Sequence, residues 1–216
     1  MLTASRWPGA GALGFAVLWM AGVILAAPPG GNYSVKDLQD FTASGHRTAV
    51  VIGMVLSLIG VIGLLILVNY LRRIAAGPAD DGGMVWSAGL LSAAGFAIGA
   101  VLLDVVPMGL ANGGRPIPAS VTYMFTQTGF AAAWGIGGTF LAVTLLALAI
   151  RRPAAMPSWF RWFTVVAGVV GLFSLAFFPF FILVLWALVA GIWLLVAAPR
   201  VVAGHSEPLR PGEAAA

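Results

Sequence analysis

Long apolar runs dominate this sequence and restrict what the chain can fold into. Six runs carry about 20 or more mostly apolar residues each, the length that a helix needs to cross a bilayer: residues 9–27, 48–71, 84–107, 121–150, 159–178 and 180–198. Charged residues make up only 8% of the chain, whereas a soluble domain carries roughly 25%. The sequence therefore predicts an all-α, polytopic transmembrane bundle of six spans over residues 1–200. Residues 201–216, rich in Pro, Gly and Ala, are predicted to form a disordered cytoplasmic tail.

The last two apolar runs are separated only by the sequence FFPFF. Pro179 lacks a backbone N–H and its ring clashes with the preceding turn, so it cannot continue a hydrogen-bonded helix. One continuous helix over residues 159–198 would be about 60 Å long. We therefore expect a tight helical hairpin here.

The basic residues indicate how the bundle is oriented. If the termini and loops alternate between two sides, eight arginines fall on one side and three basic residues on the other: Arg6, Arg72, Arg73, Arg151, Arg152, Arg161, Arg200 and Arg210 against Lys36, Arg47 and Arg115. Cytoplasmic loops carry the excess of Lys and Arg, so both termini are predicted to be cytoplasmic in a plasma-membrane protein. The first run resembles a signal peptide, but Pro28 follows "LAA" in a poor cleavage context, which favours an uncleaved helix.

The composition excludes several kinds of chemistry. The chain has no cysteine, which excludes disulfides, thiolate metal sites and cysteine nucleophiles. Its net charge of +4 comes from arginines at helix ends, so no nucleic-acid partner is predicted.

Metal and serine chemistry also find little support. His46, Asp37, Asp40 and Asp104 could supply metal ligands, but no HxxxH or HExxH pair occurs, and no metal or cofactor is predicted. There is no GxSxG motif, and three apolar helices each hold a lone serine that we expect to bond to its own helix backbone: Ser57, Ser92 and Ser174.

One acid stands inside an apolar run, in the sequence GAVLLDVVPMG. Asp104 lies about 30 Å along the third helix from Met84, which places it near the outer headgroups, and Pro107 reads as the helix terminator. His46 and Arg47 begin the second helix on the same side.

Tyr123 and Gln127 lie in the first turns of the fourth helix, again at this depth. The five residues are candidates for an outward-facing ligand-binding pocket in which Asp104 pairs with Arg47 or orients His46. The alternative is a set of caps and ion pairs that lock the outer ends of three helices.

The loop before the second span predicts a short amphipathic helix. Ser34 and Asp37 resemble a capping box, Val35, Leu38 and Phe41 recur at helical spacing, and Gly45 could end the helix. It would lie on the outer surface, either as a lid over the pocket or as a plain interfacial helix.

Small residues four apart mark two helix faces that can approach closely. Gly95 and Gly99 form a GxxxG in the third helix, and the sequence AAAWGIGG places Ala133 and Gly137 at the same spacing in the fourth. This pattern favours packing inside the bundle over dimerisation.

Three features together resemble uncharacterised six-helix integral membrane proteins of actinobacteria: His46 at the start of the second helix, LLDVVPMGLA at the end of the third and ILVLWALVAGIWLL in the sixth. The resemblance covers most of residues 9–198 through short, apolar motifs. It implies a six-helix membrane fold and brings no activity with it, but it draws attention to His46 and Asp104.

The sequence leaves three functions open. The first is a non-enzymatic membrane protein: a partner subunit, an assembly factor or a sensor with an outer pocket, surrounded by lipid and associated with another membrane protein or a second copy. The second is a transporter or channel for a small or lipophilic solute, although the middle of the membrane holds few polar residues, mainly Thr139 and Thr144. The third is an enzyme acting on lipid headgroups through His46 and Asp104.

Overall fold

The computed structural model describes residues 6–29, 34–77, 81–111, 117–154 and 156–203. The elements in these ranges are helices: α1 Trp7–Ala26, α2 Val35–Thr42, α3 Arg47–Ala75, α4 Gly83–Ala111, α5 Ala119–Phe130, α6 Thr139–Arg151, α7 Ser158–Gly171 and α8 Phe180–Ala203. A π-helical segment, Ala131–Gly138, joins α5 to α6, and a short 3-10 turn, Ser174–Ala176, lies between α7 and α8. The predicted all-α class is confirmed.

Four helices are long and apolar enough to cross a membrane: Trp7–Ala26, Arg47–Ala75, Gly83–Leu110 and Ala119–Arg151. They correspond to the first four apolar runs, and their length and composition indicate a helical membrane protein. The fifth run is different, because α7 has 14 residues and is only about 21 Å long. A hydrocarbon core is about 30 Å thick, so α7 is too short to be a full span.

The fifth helix ends earlier than predicted. It was expected to reach Phe178, but α7 stops at Gly171 and the chain turns through Phe177, whose φ is 68°. Pro179 directly precedes α8, as expected for a helical hairpin. The two helices run antiparallel, since the Phe160 ring of α7 lies 4.8 Å from that of Trp193 in α8.

Consecutive membrane helices pack side by side and the last returns to the first. Helix α1 packs on α3, α3 on α4, α4 on the α5–π–α6 helix, α6 on α7, α7 on α8, and α8 on α1. Gly11 lies against Gly63 and Gly22 against Gly53, so α1 and α3 run antiparallel. The result is a closed ring of helices.

Aromatic rings fill the middle of this ring. Phe96 of α4 contacts Phe15 and Trp19 of α1, with ring centroids 5.0 and 5.2 Å apart. Phe180 of α8 lies 5.9 Å from Phe96 and 6.4 Å from Trp134 of the π segment. We call these five residues the aromatic cluster. Burying such large rings is a major stabilising contribution to the core.

The small-residue faces pack inside the bundle, which confirms that prediction. A Cβ added to Gly95 would overlap the backbone of Gly137, and one added to Gly99 would meet Ala133. Helix α4 and the π segment therefore approach backbone to backbone, the arrangement that GxxxG patterns allow.

The predicted amphipathic helix is present as α2, with the capping box. Ser34 N and Oγ donate to Asp37 Oδ2 at 2.7 and 2.9 Å, and Asp37 N donates to Ser34 Oγ. The backbone hydrogen bond from Ser34, followed by the one from its side chain, lowers the pKa of Asp37 below its usual value of 3.8. Leu38 and Phe41 are buried, so α2 packs onto the bundle.

Parts of two predictions fall outside the described residues. Helix α8 continues to Ala203, so the predicted tail begins as helix, and residues 204–216, with His205 and Arg210, lie beyond the described ranges. Arg115 of the orientation count also lies outside them.

Candidate functional site

The candidate residues lie at one end of the bundle, where α1 and α4 end and α3 and α5 begin. We call this the His46 end, and the opposite one the Arg151 end. His46 Nε2 donates to the Ala26 carbonyl at 2.8 Å, and Arg47 Nη1 donates to the Leu110 carbonyl at 3.2 Å. Side chains from the start of α3 thus bind carbonyls near the C-termini of α1 and α4, where the helix dipole favours positive charge.

Asp104 is buried within the bundle. It is 3% exposed and lies one turn beyond Ala100 and two turns beyond Phe96 on the inward stripe of α4. Asp104 is thus covered by protein on the inside of the bundle, while its expected depth near the outer headgroups stays a prediction. Helix α4 also continues through Pro107 to Ala111, so the proline does not terminate it. A membrane helix tolerates an internal proline because neighbouring groups compensate for the lost hydrogen bond.

The expected pairing of Asp104 is not formed among the described residues. Its Oδ1 has no hydrogen-bond partner there, and no ion pair joins it to Arg47 or His46. Arg47 is directed instead to the Leu110 carbonyl, and its buried Nε also has no hydrogen-bond partner in the part of the chain that the structure describes. Trp19 Nε1 in the aromatic cluster is a third buried polar atom of this kind.

Tyr123 and Gln127 are four residues apart on α5, so they share one face of the helix. Tyr123 is 47% exposed and Gln127 is half-buried. Helix α2 packs against both α4 and α5 at this end, and the Phe41 ring lies 6.0 Å from that of His46. The structure thus brings the five residues to one end of the bundle, while the common ligand role stays a prediction.

Sequence reasoning missed a second group of polar contacts, around the π segment. Ser92 Oγ of α4 donates to the Gly137 carbonyl at 2.8 Å, and Ser174 Oγ donates to the Trp134 carbonyl. Both serines were expected to bond to their own helices, so that expectation is wrong. A π-helix shifts the hydrogen-bond ladder by one residue, and these hydroxyls bind carbonyls inside the shifted stretch.

Two other features are relevant to ligand chemistry. Among the described residues, no group of three His, Cys, Asp or Glu side chains could hold a metal ion. A cleft of about 420 Å³ lies at the Arg151 end, away from the candidate residues, and is lined by Gly82, Met84, Val85, Ala147, Ile150 and Arg151.

The fold has four helices that are long and apolar enough to cross a membrane, and its bundle holds a buried acid, Asp104, whose Oδ1 has no hydrogen-bond partner among the described residues. No protein-family model, no curated protein and no solved structure matches the chain. The resemblance to six-helix actinobacterial proteins therefore rests on its short sequence motifs alone.

Proposed function

We propose that this chain is a non-enzymatic, multi-pass plasma-membrane protein that binds a small ligand in an outward-facing pocket around Asp104. It would serve as a sensor, an assembly factor or a partner subunit. One observation carries the proposal: the Asp104 carboxyl is 3% exposed and its Oδ1 lacks a partner among the described residues.

An acid with a purely structural role would be expected to be hydrogen-bonded. Two buried polar groups of this bundle show such bonds: Ser92 Oγ donates to the Gly137 carbonyl, and Trp186 Nε1 donates to Thr164 Oγ1 at 2.9 Å. An unpaired buried acceptor costs about 1–3 kcal/mol, and ionisable groups within membrane helices typically mark functional sites. A ligand or water that donates to Asp104 would offset this cost.

The surroundings of Asp104 suit a pocket with a floor and a cover. Phe96 lies two turns deeper on the same stripe, belongs to the aromatic cluster and contacts Trp19. The Nε1 of Trp19 is a buried donor with no hydrogen-bond partner among the residues that the structure describes. Towards the His46 end, α2 packs over α4 and α5. In this proposal the aromatic cluster is the floor and α2 the cover, while Tyr123 and Gln127 line the entrance.

The proposed topology has six membrane-embedded helical segments and both termini in the cytoplasm. The excess of arginine supports it, because Arg72, Arg73, Arg151 and Arg152 lie at or beside the Arg151 end and positive charge favours the cytoplasmic side. The surrounding partner is lipid, and a second copy or another membrane protein is the protein partner proposed for a non-enzymatic role.

A transporter for a small or lipophilic solute is the second candidate. The π segment and the broken α7–α8 region resemble the discontinuous helices with which transporters bind substrates at mid-membrane. The aromatic cluster, however, fills the middle of the helix ring, which favours binding over passage. The lipid-headgroup enzyme has weaker support, because His46 Nε2 bonds to the Ala26 carbonyl instead of Asp104.

The pocket can be tested by cysteine accessibility, because the chain contains no cysteine. In intact cells, Asp104→Cys is expected to react with a small, membrane-impermeant methanethiosulfonate reagent. Val101→Cys is the matched control: it lies at nearly the same depth on α4, but on the outward face, where it is 42% exposed and would be covered by lipid. Reaction of Asp104→Cys without reaction of Val101→Cys supports the pocket.

If Asp104→Cys stays unreactive until the protein is denatured, the pocket proposal is wrong and the acid is sealed in the core. If it reacts, solute uptake and lipid turnover in proteoliposomes with Asp104→Asn and His46→Ala separate the remaining functions. For a non-enzymatic binding protein we expect neither solute uptake nor lipid turnover. Uptake or turnover that is lost in these variants would instead indicate transport or catalysis.

A further inference from the structure

The α7–α8 hairpin approaches the α5–π–α6 helix near the middle of that helix. At the tip, Ser174 Oγ donates to the Trp134 carbonyl, and Ser174 also lies against Gly138. The helix has 33 residues from Ala119 to Arg151. About 25 Å of it lies between Trp134 and Arg151, and a further ~22 Å between Trp134 and Ala119.

The start of α8 lies at the same level. The Phe180 ring is 5.3 Å from Trp19 and 5.9 Å from Phe96, and both of these residues lie well inside their helices. From there α8 descends along α1 until Leu195 reaches Gly9, near the start of α1. Both arms of the hairpin therefore run between the Arg151 end and the middle of the bundle.

The turn between α7 and α8, the tip of the hairpin, has the apolar composition of a surface that contacts lipid. Residues 163–199 contain no charged side chain. Large apolar side chains project from the turn: Phe173 and Leu175 are each 66% exposed and Phe178 is 79% exposed. A loop that emerged on the far side of the membrane would place these side chains in water, where apolar surface is unfavourable.

Most backbone N–H groups of the turn also meet the requirement that lipid imposes. Within hydrocarbon, backbone N–H and carbonyl groups must be satisfied by the protein itself. Eight N–H groups of this region, those of residues 172, 173, 176, 177, 178, 180, 181 and 182, donate to carbonyls within the hairpin. Pro179 has no N–H to satisfy.

We infer that α7 and α8 form a re-entrant hairpin that enters the bilayer at the Arg151 end, turns near mid-membrane and leaves on the same side. Its phenylalanine-rich tip contacts lipid acyl chains. The chain then crosses the membrane four times, and both termini still lie on one side. Beyond the tip, towards the His46 end, acyl chains occupy the space that a full-length hairpin would fill.

Cysteine labelling distinguishes a re-entrant hairpin from two crossings. Leu175→Cys is placed at the exposed tip of the cysteine-free chain, with Ala43→Cys and Ala76→Cys as controls at exposed positions of the His46 and Arg151 ends. Each variant is treated with a membrane-impermeant maleimide in intact cells and in inverted vesicles. We expect each control to label from one side only. Leu175→Cys should label from neither side, and fully once detergent replaces the lipid.

Labelling of Leu175→Cys from the same side as Ala43→Cys, at a similar rate, would overturn the inference, because the tip would then be in water beyond the membrane. A spin label on the same cysteine gives a second readout: oxygen should relax it strongly and a water-soluble nickel chelate weakly. The result does not depend on the proposed pocket or orientation, since the controls alone report which end faces outwards.

Discussion

The buried carboxyl of Asp104 leads to a prediction about stability. Replacing Asp104 with valine removes a 3% exposed carboxyl whose Oδ1 has no partner among the described residues. Leaving a buried acceptor unsatisfied costs about 1–3 kcal/mol, so Asp104→Val should raise the free energy of unfolding by a similar amount. Asp104→Asn should raise it by less, under about 1 kcal/mol, because its amide would still lack partners. SDS titration in mixed micelles measures both values.

Ser92→Ala is the matched control on the same helix. Ser92 is 0% exposed, but its hydroxyl is hydrogen-bonded to the Gly137 carbonyl at 2.8 Å. Its removal should lower the unfolding free energy by about 1 kcal/mol, opposite in sign to Asp104→Val. If Asp104→Val is as destabilising as Ser92→Ala, the acid contributes to folding and the reasoning for a ligand site fails. A gain in stability accompanied by a loss of ligand binding would fit a binding site that is maintained at a cost in stability.

Three further predictions concern packing and charge. Thr164→Val removes the acceptor of the Trp186 indole N–H and should lower the unfolding free energy by about 1–3 kcal/mol. A double-mutant cycle with Trp186→Phe should show strong coupling between the two residues. Gly95→Ala would force α4 away from the π segment and should lower the melting temperature in detergent, whereas Gly14→Ala, with open space around it, should leave it unchanged or slightly raised. Asp37 has a lowered folded-state pKa, so its contribution to the stability of α2 is present above pH 3.8 and is lost as the pH falls through that lowered pKa. A spin label on α2 should therefore become more mobile on acidification. Asp37→Asn should abolish this pH dependence.

The sequence predicted at which end of the bundle the candidate residues lie, but it did not predict their side-chain contacts. Topology alone places His46, Arg47 and Asp104 at a common end, because successive spans alternate in direction. The sequence predicted an acid at the rim that pairs with Arg47 or orients His46. The structure buries Asp104 and directs Arg47 to the Leu110 carbonyl and His46 to the Ala26 carbonyl. Helix rotation and the exact helix end decide these contacts, and neither follows from a hydropathy pattern.

What the sequence by itself determined is the set of helices and their close-packed faces. Runs of about 20 apolar residues can be satisfied only as helices in lipid, and small residues such as Gly95 and Gly99 mark where two backbones approach. The capping box of α2 is equally local, since Ser34 and Asp37 are three residues apart. Only the tertiary structure showed where the turn of the last hairpin lies, because Ser174 donates to the Trp134 carbonyl of another helix. Such a contact joins residues that are far apart in the chain, and no local periodicity encodes it.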